Sequence, residues 1–435
     1  MTPKTSINKL KNFEGQEVSL SGWVYQFRSS GKISFLVLRD GTGDCQCVFT
    51  EGTADSKSLE AFSKLSLETA VEVRGQVKKW KDSYELKGQD LKILFSAEPW
   101  PLGKKSHGVD FLMSHRHLWL RSKKQRAIMN VRNELIQNIH HFFQKEEFLH
   151  IDAPILAANA CEGTSSLFSV NFFDQEPAYL SQSGQMYMEA AAAAYGKVYC
   201  FGPTFRAEKS STRRHLLEFW MIEPEMAFCN LEEAMELAER FVEYVVQNTL
   251  QTKTEELKVL ERNLDFLRET RAPFPRLSYK TACEVIQKSN PDFQPGGDFG
   301  GGEETLISSQ YKKPVFVHHY PKDIKAFYMK EDEENPSLSL SFDLLATDGY
   351  GELIGGGQRE DSLEKLEEGI REHHLKKEDF EWYLDLRRFG SFTHSGFGLG
   401  LERLVAWVCG LDHVRETIPF PRVYGRSFFE KSSSS

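Results

Sequence analysis

Nothing in these 435 residues approaches the run of about 20 apolar residues that a membrane-spanning helix requires. The opening stretch Met1–Leu10 lacks both the apolar core of a secretory leader and the arginine-rich character of a transit peptide, so a cytoplasmic protein with no membrane partner is expected. Cysteine is sparse and odd in number. The seven residues are scattered apart from Cys45 and Cys47, whose single intervening residue fits neither a Cys-x-x-Cys zinc site nor a redox pair. That spacing points to reduced thiols rather than a disulfide framework. Positive charge is also in deficit, with 54 Lys and Arg against 63 Asp and Glu for a net charge of -9, which argues against a protein that coats nucleic acid through bulk attraction. The chain does have length and apolar material: 40% hydrophobic residues over 435 positions suit two to three domains, each able to bury a core.

The charge is unevenly placed. From Arg74 to Arg126 there are 13 Lys and Arg against 5 Asp and Glu, a local balance of +8 that leaves -17 for the remainder. Such a run is commonly a solvated face. Here Trp80, Tyr84, Trp100 and Trp119 are interleaved with the basic residues. Cations beside aromatic rings are what a phosphate backbone and unstacked bases require, so contact with RNA is expected.

Within the first hundred residues, alternation predicts strands at Val18–Val24, Ile33–Arg39, Cys45–Phe49, Ala70–Val77 and Tyr84–Leu86, with turns at Gly31 and Asp40-Gly41. Five short strands in a domain of this size suit an OB-fold barrel. Phe35 shares a strand face with Ile33 and is either a core residue or an outward platform, whereas Gln46, between two cysteines that face inward, must point outward. Trp100-Pro-Leu-Gly-Lys-Lys-Ser-His-Gly108 breaks both periodicities. The expected organisation is a barrel over 1–100, a hinge over 101–125 and a second domain over 126–435.

In the second domain, Ile128, Val131, Leu135, Ile139 and Phe142/Phe143 mark an amphipathic helix over Lys124–Phe148, followed by the strand Leu149–Pro154. Ser181-Gln-Ser-Gly-Gln-Met-Tyr-Met188 opens an alanine-rich helix that Gly196 would end. Phe201-Gly-Pro-Thr-Phe-Arg-Ala-Glu208 and His215–Phe228 read as two strands joined by the basic, hydroxyl-rich loop Lys209–Arg214. Alternation puts Arg206 with Glu208, and Phe219 with Met221, Glu223 and Glu225. Pro224 cannot donate to a ladder, so a local break is expected there. Asn230-Leu-Glu-Glu233 has the form of a capping box, and the charged segment 251–275 after that helix reads as an exposed excursion. Glu352 and Arg359 are an odd number apart, and a bulge at Gly355, Gly356 or Gly357 would bring them to one face. Gly396-Phe-Gly-Leu-Gly400-Leu-Glu-Arg403 is a glycine-rich strand entering a helix, with Arg403 in the first turn, where the dipole also favours anions.

Phe205-Arg206-Ala-Glu208 resembles motif 2 of the class II aminoacyl-tRNA synthetases, Gly396–Arg403 resembles motif 3, and the helix and strand from Lys124 to Pro154 resemble motif 1. The resemblance covers nearly the whole chain and is nearest to the asparaginyl and aspartyl branch. It implies an α+β fold, an N-terminal five-stranded OB barrel followed by an antiparallel sheet flanked by helices, and a homodimer built on motif 1. It also implies that ATP and Mg2+ are used to activate an amino acid and pass it to tRNA. Carried over residue by residue, Arg206 and Arg403 are catalytic and contact the ATP phosphates together with His215. Phe219 stacks on adenine, Glu208 accepts from its amino group, and Asp343 and Glu352 hold the metal. Gly355 stands where some relatives carry a serine ligand, so water or phosphate must complete that shell.

Glu162, Ser183, Gln185, Met188, Glu223, Glu225 and Arg359 fall at amino-acid-binding positions, with Glu162 and Gln185 at the α-ammonium group. Arg28, Phe35 and Gln46 fall at the anticodon-binding positions of the barrel. Met188 stands where aspartyl enzymes carry a lysine that pairs with the substrate carboxylate, which implies L-asparagine and tRNA(Asn) as substrates; alternatively Met188 packs under the alanine-rich helix and selectivity resides elsewhere. An aspartate-using enzyme of relaxed specificity and a tRNA-independent ligase are the rivals. The barrel counts against the ligase, which has no anticodon to read.

Overall fold

The computed structural model describes residues 2–52, 54–103, 106–158, 167–173 and 178–426. They form two compact units, Met1–Leu112 and Met113–Ser435. Residues 101–125, expected as a hinge, contain the boundary between the two units and carry the short helices Val109–Ser114 and Arg116–Trp119 and the first turn of the helix Lys123–Lys145. Arg116 is buried and donates to the carbonyls of Ile418 and Pro419, both at 2.9 Å, and Trp119 lies against its guanidinium. Arg116 and Trp119 therefore belong to an interior and not to a surface open to RNA, while Lys123 and Lys124 stay exposed.

In the first unit β1 (Glu17–Ser30), β2 (Ile33–Arg39), β3 (Asp44–Thr50), β4 (Ala70–Trp80) and β5 (Ser83–Phe95) close a barrel in the order β1-β2-β3-β5-β4. The interior is filled by inward residues such as Val18, Leu20, Leu36, Leu38, Cys45, Cys47, Val73 and Leu86. Two strands run well beyond their expected limits. The pairing slips at Tyr25 in β1 and at Gln89 and Leu94 in β5. Each extra residue inverts the alternation, so a period of two loses the strand there. Gly88 approaches its neighbour so closely that a β-carbon would lie 2.5 Å from the Phe49 ring.

The second unit is built on an eight-stranded sheet, with β6 (Leu149–His150) at one edge. A separate three-stranded sheet holds β7 (Leu156–Ala157), β8 (Ser169–Val170) and β9 (Ala178–Leu180). The large sheet continues with β10 (Lys197–Phe205), β11 (Glu218–Ala227), β12 (Arg276–Ser278), β13 (Val315–His318), β14 (Ser341–Ala346), β15 (Gly351–Gln358) and β16 (His394–Gly400), in the order β12-β13-β14-β15-β16-β11-β10-β6. Pairing is antiparallel except between β12 and β13 and between β6 and β10.

The helices Lys123–Lys145, Leu231–Thr252 and Leu401–Cys409 share one core with the central strands, through Leu135, Ile139, Phe241, Val245, Leu399 and Trp407. The helix Leu231–Thr252 starts at a complete capping box, Asn230 with Glu233. Beyond it, residues 254–275 are tied down rather than excursive. Leu257, Leu267 and Phe274 are buried in that same core, because apolar residues at wide spacing anchor a segment whose other positions are charged. Among the described residues no helix is long and apolar enough to cross a membrane.

Candidate active site

β10 and β11 form the hairpin that carries the site. Their register runs unbroken through Tyr199 and Pro224. The break expected at Pro224 falls on the other side of β11: residues 221, 222 and 225 to 227 pair with β16, and 223 and 224 do not. The missing proline donor therefore interrupts the ladder without shifting it.

Phe219, Met221 and Glu223 line a groove over the sheet, as alternation requires, and Arg206 follows β10 at its centre. The Arg206 amide donates to the Leu217 carbonyl at 3.0 Å, and its guanidinium sits 5.5 Å from the Phe219 ring centre. One end of the groove is bounded by Glu208, His215, Phe219 and Arg403 and the other by Ser183, Gln185, Glu223 and Arg359; Arg206, Met221, Glu352 and Gly398 belong to both. Arg206 therefore stands where two cavities meet.

At the first end, Glu208 lies 3.8 Å from His215 Nε2, while His215 Nδ1 faces the hydroxyls of Ser210 and Thr212. Burial holds His215 below the usual histidine range, and Arg403, Arg206 and Arg214 add to this against the pull of Glu208. Arg403 is in the first turn of Leu401–Cys409 and donates to the Glu352 carbonyl. The neighbouring Glu402 is fixed from behind by Arg132 of the long helix at 2.8 Å and by the Trp220 amide at 2.9 Å. Arg214 also reaches this end. It pairs with Glu304 at 2.7 Å, and only the basic character of its loop hinted at it in the sequence.

Asp343 and Glu352 come from the adjacent strands β14 and β15. Their extra residue is Leu353, since Leu344 pairs with Ile354 and Leu345 with Glu352. The bulge therefore precedes the glycines expected to form it. Gly355, Gly356 and Gly357 keep regular pairing and serve close packing instead: a β-carbon on Gly355 would lie 2.6 Å from Glu352 Oε1 and 3.4 Å from Asp343 Oδ1. Burial and the Asp343 charge push Glu352 up to about 7. Two hard carboxylates that repel one another across a cradle kept open by a missing β-carbon suit Mg2+. Among the described residues they are a pair, with no third His, Cys, Asp or Glu completing a metal cluster. Lys325 Nζ, at the cavity wall, lies 2.9 Å from Asp343 Oδ2. Nothing in Lys322-Asp-Ile-Lys325 signals that role in the sequence.

At the second end, Arg359 is 2% exposed and its Nε and Nη2 each donate to a different oxygen of Glu225 at 3.1 Å. Glu225 holds the guanidinium charged. Glu225 is buried and lines neither cavity, so it braces Arg359 and does not face a ligand. Glu223 does face the groove; it accepts from the Ser183 hydroxyl and, at 2.8 Å, from the Gly184 amide. Met188, expected at the pocket, is turned away into a small core with Ala192, Val198 and Cys200. Three residues on from Gln185, residue 188 sits about 60° around the helix, which turns it from the groove toward the packing against β10. Glu162 lies outside the described residues.

On the barrel, Arg28 and Phe35 are cross-strand partners, with the guanidinium 4.8 Å over the ring. Phe35 is partly exposed and outside the core, while its neighbours Leu36 and Leu38 are inside. Gln46 is likewise outward and donates to Glu85 at 3.2 Å.

Residues 108–424 match the family of class II tRNA synthetases (D, K and N), and residues 18–94 match the OB-fold nucleic acid binding domain. The chain belongs to the class II tRNA synthetases. Similar proteins include the asparagine–tRNA ligase of Sorangium cellulosum, 51% identical over 98% of each chain, and that of Pelotomaculum thermopropionicum, 50% identical over 97% of this chain and 99% of the relative. Among solved structures, the asparaginyl-tRNA synthetase of Pyrococcus horikoshii complexed with asparaginyl-adenylate superimposes with a TM-score of 0.94 at 41% identity, covering 98% of this chain and 100% of that one. The synthetase thus has the fold expected of it, a closed OB barrel joined to an α+β unit with a largely antiparallel sheet.

Proposed function

We propose that this synthetase activates L-asparagine with ATP and transfers it to tRNA(Asn). The observation that carries the reading is the placing of Arg206 at the junction of an aromatic, arginine-lined cavity and a second cavity closed by a glutamate-braced arginine. Asparagine carboxylate attacks the α-phosphorus of ATP, pyrophosphate leaves, and the terminal hydroxyl of tRNA then takes the acyl group from the adenylate with release of AMP. Neither step needs a protein nucleophile, so the enzyme acts by positioning and by stabilising charge. Arg206 is aimed at the α-phosphate, Arg403 with His215 at the γ-phosphate, Phe219 stacks on adenine, and Glu208 accepts from its amino group. Asp343 and Glu352 would hold Mg2+, which supplies charge neutralisation at the phosphates.

Arg359 donates to the side-chain carbonyl of asparagine, and Glu223 is the acceptor nearest its amide. Glu225 acts through Arg359. An aspartate in the same place would set a second carboxylate beside Glu223, with the charge of Arg359 already matched by Glu225, and burying an uncompensated charge is penalised by several kcal/mol. On the barrel, Phe35 receives an anticodon base and Arg28 and Gln46 read its edges. Two copies assemble through the helix Lys123–Lys145 and β6. ATP-pyrophosphate exchange across the twenty amino acids, with asparagine and aspartate also in competition, tests the substrate: exchange with asparagine alone is expected, and equal use of aspartate would defeat the assignment.

A further inference from the structure

Glu189 is a fully buried carboxylate with no part in the chemistry above. It follows Gln185 by four residues on the helix Gln185–Tyr195 and so lies on the same helix face. Gln185 Nε2 donates to its Oε1 at 3.1 Å, the Tyr383 hydroxyl reaches both oxygens at 2.8 Å, and Arg387 Nη2 and His394 Nε2 meet Oε2 at 3.0 and 2.9 Å. Burial opposes its charge, but Arg387, His394 and Arg359 outweigh burial and hold the carboxyl well below the usual range.

An ionised carboxylate can only accept hydrogen bonds, so Gln185 must turn its NH2 group toward Glu189. The carbonyl oxygen is left for the amino-acid cavity that Gln185 lines. A glutamine without that constraint can present either end, and the NH2 end would repel an ammonium group. We propose that Glu189 is a positioning residue that locks the Gln185 amide with its carbonyl oxygen toward the α-ammonium group of the substrate. This rests on the reading of Gln185 as an ammonium ligand. Glu189 thereby contributes to recognition from outside the cavity, through one side chain whose two ends look alike in shape and opposite in polarity.

The test uses the full-length enzyme and two inhibitors: a sulfamoyl analogue of asparaginyl-adenylate and the same compound without its α-amino group. The ratio of their Kd values reads what the ammonium group contributes. Glu189→Gln keeps the volume but can itself donate, which releases Gln185 to turn. The ratio is expected to shrink by about tenfold or more, as for loss of one hydrogen bond to a charged group. KM for asparagine should rise with kcat and KM for ATP little changed. If Glu189 is only a structural counter-ion to Arg387, both inhibitors weaken together and the ratio stays, which overturns the proposal.

Gln185→Ala separates the two layers of the argument. Loss of the ratio in this variant with retention in Glu189→Gln refutes only Glu189, whereas retention in Gln185→Ala refutes the ammonium reading and the proposal with it. Should Glu189→Gln fail to fold, Glu189→Asp keeps the charge and withdraws it by one methylene. The same shrinkage is then expected, and an unchanged ratio is again fatal.

Discussion

Arg206 and Met188 show how differently single residues were readable. Alternation along β10 and β11 was enough to put Phe219, Met221 and Glu223 on one face, and Arg206 at the end of its strand stands over that face. Arg206→Ala is expected to abolish adenylate formation in a folded protein. Removing a charge-assisted donor aimed at a transition-state phosphate costs on the order of 3 kcal/mol or more, a factor beyond 100 in rate. Unchanged pyrophosphate exchange in a folded variant would remove the residue from this role. For Met188 the position was legible and the direction was not, because a helix start can be rotated by one residue without altering its composition. The surrounding Ala192, Val198 and Cys200 offer a cation no partner. Met188→Lys should therefore destabilise the protein by several kcal/mol instead of admitting aspartate. A thermal melt read beside exchange with both amino acids decides this, and a stable variant that uses aspartate would show that residue 188 does reach the substrate.

At the scale of elements, β1 and β5 were truncated where the period of two slipped, and β12, β13 and β14 were not read as strands at all. Tyr25, Gln89 and Leu94 each add one residue to a barrel strand, and Leu353 does the same in β15. Glycines were the natural suspects for that last bulge. They proved to be packing residues, because a missing β-carbon serves close approach as readily as it serves a bend. The barrel's outward face follows from the same alternation: with Leu36 and Leu38 inside, Phe35 must be outside, and its partner Arg28 already lies over the ring. Phe35→Ala is expected to weaken tRNA charging while sparing adenylate formation, since stacking on a base is worth roughly 1 to 3 kcal/mol. Equal losses in both steps, or none, would refute the anticodon assignment, provided the barrel of the variant is folded.

For the whole molecule, composition and length announced two to three domains, and the chain divides into two compact units. Assembly left a fainter trace. A helix, a strand and a proline in sequence have almost no specificity, and what supports association is the exposure of apolar side chains beside a sheet edge. β6 is the outermost strand and only two residues long; Leu149 is 48% exposed, and Ile155 and Leu156 follow at 44% and 47%. Exposed apolar side chains at and just after an edge strand invite a partner. In a two-fold dimer each side chain counts twice. Completing the burial of a half-exposed leucine contributes about 1 kcal/mol, so Leu149 and Leu156 together supply about 4 kcal/mol across both copies. Replacing both with aspartate should weaken association by about a thousandfold and leave a monomer at micromolar concentration in sedimentation velocity. A parent enzyme that already sediments as a monomer, or a variant that remains dimeric, would place the interface elsewhere or nowhere.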